Sequence, residues 1–109
     1  MIVSRRLRQS AGDPDARCFL NIAGVCPDET ESKSAGNVLC HIRFANLAGG
    51  GQKPDDFCAT FGCGPCHTVF DGNGKSPLPE SEWLFYAMRG MVRTQRWWVE
   101  HGYLLVKGA

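Results

Sequence analysis

The run Cys63-Gly64-Pro65-Cys66-His67 and the separate His41 upstream carry most of the chemistry open to this chain. Two thiols flanking a Gly-Pro at a helix start point both sulfurs at one spot, and the helix dipole there favours thiolate. A second pair, Cys18 and Cys26, stands upstream with seven residues between them. Two pairs are what a tetrahedral tetrathiolate zinc site needs, although the wider spacing departs from the usual gap of about two to four. The competing reading makes Cys18 and Cys26 small buried apolar residues, a common fate of free cysteine. Cys40 and Cys58 fall outside the set, since Cys40 alternates onto an apolar face and Cys58 has no evident partner.

The same pentapeptide supports other chemistry. Cys-Gly-Pro-Cys is also the redox pair of thioredoxin-like proteins, and C-x-x-C-H attaches c-type haem. The first needs a long strand and a parallel sheet around the motif, and leaves two cysteines unexplained. The second needs export, for which no signal is visible. In the third reading the cysteines are structural and the histidine functional. His67 and Asp71 stand at i and i+4, so they share a helix face and both can reach one cation. His41 projects from a strand, with Arg43 two residues on. A base, two ligands and an arginine near one point are the parts for hydrolysing a phosphodiester.

Composition narrows the setting. At 109 residues with 43% hydrophobic and 21% charged content, the chain reads as one globular domain over 1–109. The formal charge of +1 does not decide for or against nucleic acid, because clustering matters more than the sum. Ser4-Arg5-Arg6-Leu7-Arg8 follows the first three residues with no apolar stretch of signal type, and no run is apolar enough to span a membrane. A reducing cytoplasm is therefore expected, the host's if the chain is phage-encoded. Six cysteines there suggest metal over disulfides.

The elements that must position these residues follow from patterning. Residues 4–11 suit a short basic helix, and Gly12-Asp13-Pro14-Asp15 a turn. Cys18 to Cys26 reads as a tight hairpin reversing at Ala23-Gly24, and Pro27 to Asn37 as an exposed loop. Val38 to Phe44 is a strand with Val38, Cys40, Ile42 and Phe44 on one face. A glycine-rich loop over 48–54 leads to a second strand, Phe57 to Phe61. Pro65 suits the first turn of a helix reaching Asp71, which Gly72-Asn73-Gly74 stops. A longer helix should run from after Pro79 to near His101, with Leu84, Met88, Met91 and Trp98 as its buried face. Arg89, Arg93 and Arg96 fall on another face of it.

His41, the glycine-rich loop, the second strand and the helix-start CxxCH resemble the HNH (ββα-metal, treble-clef-like) nucleases. Four stretches, residues 7–11, 18–26, 40–72 and 90–102, more closely resemble the small prophage-encoded YbcO-type nucleases. The resemblance implies an α+β fold: a zinc-stapled ββα-metal core with a short N-terminal and a longer C-terminal helix. It implies His41 as general base, His67 and Asp71 as ligands of a catalytic divalent cation (Mg²⁺, Mn²⁺, Ni²⁺ or Zn²⁺), and Cys18, Cys26, Cys63 and Cys66 as the structural zinc cage. Cys40 stands where many members carry a metal-binding Asp, and Asp56 is the nearest polar counterpart of the motif's middle Asn.

The expected activity is divalent-metal-dependent endonucleolytic hydrolysis of nucleic acid, with DNA favoured. Arg43 would clamp phosphate through its planar fork. Arg89, Arg93 and Arg96, with Arg5, Arg6 and Arg8, would supply backbone contacts. The alternative is a non-catalytic zinc-bound DNA-binding accessory protein using the same staple and arginines.

Overall fold

Ser4 opens the first helix, α1 (Arg5–Ser10), by accepting the Leu7 N–H on its hydroxyl at 3.2 Å. The computed structural model describes residues 2–27, 36–43, 54–72 and 76–108. Strands β1 (Asn37–His41) and β2 (Ala59–Cys63) pair antiparallel, with Asn37 opposite Cys63 and His41 opposite Ala59. Ile42 N still donates to Cys58 O at 3.0 Å, so pairing runs one residue past β1. The second strand thus starts two residues later than patterning suggests and ends on the first thiol of the CxxC. The expected positions of Phe44, the 48–53 part of the glycine-rich loop, most of the 27–37 loop, Asn73 and Gly74 lie outside the described residues.

Helix α2 (Gly64–Asp71) follows at once, with Cys63 as its N-cap and Pro65 in its first turn. It stops where expected. Gly72 takes the left-handed conformation, φ +51°, that the C-terminal turn requires and L side chains disfavour. Pairing of β1 with β2, followed directly by α2 packed on both, gives the expected α+β architecture.

Helix α3 (Glu80–Glu100) lies against β2 through a face that only partly matches the one hydrophobic periodicity picks out. Of the expected face, Trp98 is buried and Met91 packs half-buried against the core, but Leu84 and Met88 are 39% and 67% exposed, and Ala87, Gly90, Thr94 and Trp97 are buried instead. The reason is close approach. A Cβ on Gly90 would stand 2.3 Å from Thr60 Oγ1 and 2.9 Å from Thr60 Cβ. Only a helix without a side chain there can sit so near the strand, and Thr94 Oγ1 then accepts the Phe61 N–H at 3.0 Å. Trp98 reaches across to α1, donating its indole N–H to Ser10 Oγ at 2.7 Å. Trp83 stacks on Phe70 at 4.7 Å and donates to the Phe70 carbonyl, which fixes the end of α2.

The stretch from Cys18 to Cys26 is not a hairpin. It is a looped segment pinned to β2 by Phe19 N and Leu20 N, both donating to Phe61 O. Asn21 at φ +43° and a turn closed by Val25 N and Cys26 N on Ile22 O bring its ends together. Leu20, Ile22, Cys40, Ile42, Phe70 and Ala87 form a core beneath it, while Leu7, Ala16, Phe61, Trp97 and Trp98 form a second.

Candidate metal centre and active site

The looped segment supplies Cys18 and Cys26, the end of β2 supplies Cys63, and the first turn of α2 supplies Cys66. Their four sulfurs lie within 4.8 Å of one another. Around tetrahedral zinc with bonds of about 2.3 Å, neighbouring sulfurs stand roughly 3.8 Å apart; Cys26 Sγ and Cys63 Sγ are 4.0 Å apart. All six cysteines are free thiols. The donor set and its spacing therefore fit a metal ion such as zinc. Among the described residues these are the only ones that bring three or more Cys, His, Asp or Glu ligand atoms so close.

The electrostatics of the cluster favour one negative charge and oppose the rest. The Cys66 thiol donates to Cys18, and the Asn21 and Cys63 amides help, so the Cys18 thiol falls to about 5 despite its burial. Burial, and then the charge on Cys18, push Cys26 up to about 12. Cys66 is driven up because its proton is held by the Cys18 sulfur and because it is buried. Four thiolates at this spacing need a cation among them.

His41 closes β1, and what holds it was only faintly visible in the sequence. Its Nε2 lies 2.8 Å from Oδ1 of Asp56, whose side chain is fully buried. The other carboxylate oxygen accepts Ser4 N at 2.7 Å and Arg8 Nε at 2.8 Å. Burial pushes the Asp56 carboxyl up, but His41, the Ser4 amide and the Arg8 guanidinium outweigh it and leave it below the usual carboxylate value. An ionised carboxylate only accepts, so Nε2 carries a proton, and in the neutral ring the lone pair is on Nδ1. The His41 side chain is 23% exposed. Asp56, the nearest polar counterpart of the motif's Asn, meets both His41 and Arg8, and nothing local connects positions 8 and 56.

His67 and Asp71 are half-buried on α2. The charge of Asp71 is felt at Cys40, the buried residue before His41, whose thiol is pushed up by burial first and then by Cys18, Cys63 and Asp71. His41, His67 and Asp71 do not themselves gather ligand atoms within 4.8 Å as the cysteines do. Arg43 is exposed beyond the end of β1. The arginines divide. Arg89 donates to Leu20 O at 2.9 Å and Asn21 O at 3.0 Å and lies over the Phe85 and Tyr86 rings, so it braces the cysteine loop. That corrects its grouping with Arg93 and Arg96 on a shared binding face. Arg6 bonds Gly102 O and covers Tyr103, and Arg96 meets Glu100 at 2.7 Å. Arg93 and Arg5 are exposed.

A family model described as "Putative nuclease YbcO" matches residues 5–103. The chain belongs to the YbcO family. Relatives bearing that description in Escherichia coli (strain K12) and Enterobacteria phage 82 are each 36% identical over 86 residues, which is 78% of this chain and 83% of the relative. A solved structure described as "a putative bacteriophage protein from Escherichia coli str. K-12 substr. MG1655" aligns with TM-score 0.63 at 32% identity. It covers 89% of this chain and 100% of that one. No helix among the described residues is long and apolar enough to cross a membrane.

Proposed function

We propose that this YbcO-family chain is a divalent-metal-dependent nuclease of HNH type that hydrolyses phosphodiester bonds in nucleic acid, DNA above RNA. The observation that carries the reading is the His41–Asp56 pair, a half-buried imidazole oriented by a buried carboxylate at the end of β1, whose partner strand β2 ends on the clustered thiol Cys63. In this reading His41 Nδ1 takes a proton from the attacking water, and Asp56 stabilises the imidazolium that results. His67 and Asp71 would hold a catalytic cation, which when bound supplies charge stabilisation for a phosphoryl oxygen and the leaving oxygen. Their donor set, one imidazole and one carboxylate at i and i+4 on α2, suits Mg²⁺, Mn²⁺, Ni²⁺ or Zn²⁺ with further ligands from solvent. Zinc in the four-cysteine site would be structural, tying the loop before β1 to the β2–α2 junction. Among the exposed arginines, Arg43, Arg93 and Arg5 would supply phosphate contacts.

A second reading, a zinc-bound DNA-binding accessory protein without catalysis, is favoured by one observation. Cys40 is buried where a third ligand would be useful, and among the described residues no second cluster of ligand atoms forms. Plasmid nicking by purified protein with Mg²⁺, Mn²⁺ or Ni²⁺ separates the two. Divalent-dependent nicking abolished by His41→Ala supports the nuclease. Binding without nicking, or undiminished nicking by the variant, supports the accessory role.

A further inference from the structure

The face of α3 turned away from β2 carries an apolar stripe that the rest of the described chain does not cover. Leu84, Phe85, Met88 and Val92 are 39%, 56%, 67% and 57% exposed and, with Ser81 and Arg93, line a shallow groove. A contiguous apolar strip along a helix is unusual on a surface that meets only water. Its pattern also says what fits it. One i, i+4 ridge of α3 reads Glu80, Leu84, Met88, Val92, Arg96, apolar in the middle with an acid at one end and a base at the other. Turned end for end about Met88, the ridge answers itself: Leu84 falls on Val92, and Glu80 on Arg96. A parallel arrangement would instead set acid on acid and base on base.

We propose that α3 is a dimerisation helix, pairing antiparallel with α3 of a second copy about a twofold axis near Met88. Such an interface is isologous: each copy gives the same surface and receives it. Met88, the most exposed apolar residue of the stripe, is at its centre, where burial counts most. Glu80 and Arg96 lie at the ends, where charge sets orientation and register more than strength. Arg96 already meets Glu100 through Nε, and its remaining N–H donors are available to Glu80 of the second copy. Each i, i+4 ridge is inclined to its helix axis, so two such ridges running alongside each other set the helices at about 50° and let both ends meet. The cysteine cluster and His41 are not part of the stripe; of the residues named in the nuclease reading only Arg93 borders it, so the pairing does not depend on that reading.

Sedimentation velocity over roughly 1–100 µM, a range set by ordinary interface affinities, tests the pairing on the full zinc-loaded chain. The expected species is a dimer of twice the 12.0 kDa chain mass. Met88→Lys should weaken association at least 100-fold while circular dichroism shows helix content unchanged. If that variant loses helix, Val92→Lys takes its place. Glu80→Arg and Arg96→Glu should each weaken the dimer several-fold, and the two together should restore it. A 12.0 kDa species at every concentration, an open-ended assembly, or a dimer indifferent to Met88→Lys would overturn the proposal. A combined charge variant weaker than either single one would refute the antiparallel register.

Discussion

Replacing Asp56 by Asn separates what the carboxylate does for stability from what it does for His41. The wild-type group accepts three hydrogen bonds, from His41 Nε2 through one oxygen and from Ser4 N and Arg8 Nε through the other. An amide has a single oxygen, so the side chain must choose. Facing that oxygen toward Ser4 and Arg8 keeps two of the three bonds and turns the NH₂ group toward His41 Nε2. The opposite orientation presses the NH₂ against two donors, which loses both bonds and costs about 1.5–3 kcal/mol for the Ser4 amide alone. The first orientation should win. Its stability cost is then the lost charge assistance, about 1–2 kcal/mol, because Arg8 is 45% exposed and water replaces much of what it loses. For a chain of this length the melting temperature should fall by roughly 5–15 °C. The effect on chemistry is larger. His41 Nε2 must now accept, so the neutral ring carries its proton on Nδ1 and the lone pair that would take the water's proton is gone. A histidine held in the wrong tautomer costs on the order of 10⁴ in a Ser-His-Asp enzyme, and we expect a 10²–10⁴-fold loss of nicking here. Imidazole ¹⁵N shifts report the tautomer directly, beside melts and nicking rates at a temperature where both proteins are folded. Unchanged His41 tautomer, or nicking at the wild-type rate, would refute the reasoning.

Other outcomes follow from the same geometry. Asp56 titrates below its unfolded value, so its contribution to stability is complete above about pH 3.8 and is lost as pH falls through the lower folded value. Urea melts between about pH 2 and 6 should show that acid loss in the wild type and a shallower one in Asp56→Asn; parallel curves would contradict it. Cys66→Ser, or a strong chelator, should unfold the chain, because structural zinc contributes on the order of 10 kcal/mol to small domains. His41→Ala should stay folded with a loss of about 1–3 kcal/mol, since Asp56 keeps its other two partners; equal melting temperatures for these two variants would refute the distinction. Gly90→Ala gains about 1 kcal/mol of helix propensity but drives a methyl to 2.3 Å from the buried Thr60 hydroxyl. Overpacking of about 1–3 kcal/mol should win, giving net destabilisation that Thr60→Ala partly reverses; a more stable Gly90→Ala protein would show that α3 can slide off the strand.

What the sequence made legible was local. The CxxC at a helix start, the proline in its first turn and Gly72 at its end each act within one or two turns of chain, and each appears where patterning puts it. The four-cysteine cluster was legible for a related reason: thiols in such a setting have few other uses. What was hidden depends on contacts between distant segments. Arg8 and Asp56 are 48 positions apart, and Arg89 finds the Leu20 carbonyl 69 positions away. Neither pairing leaves a mark on its own neighbourhood, so both arginines read as surface groups for nucleic-acid backbone contacts. The α3 face was misread for a more instructive reason. Hydrophobic periodicity finds the greasiest stripe of a helix and assumes that it faces the core of its own chain. Here the face that meets β2 is chosen by shape, with Gly90 allowing contact and Thr94 capturing an amide, so Trp98 and Met91 turn inward while Leu84 and Met88 are left outside. A pattern can report that a surface is meant to be buried without saying whose chain buries it. Leu84 and Met88 are therefore evidence of a kind that the fold alone does not use, and their exposure is what makes a second copy the natural place to look for their partner.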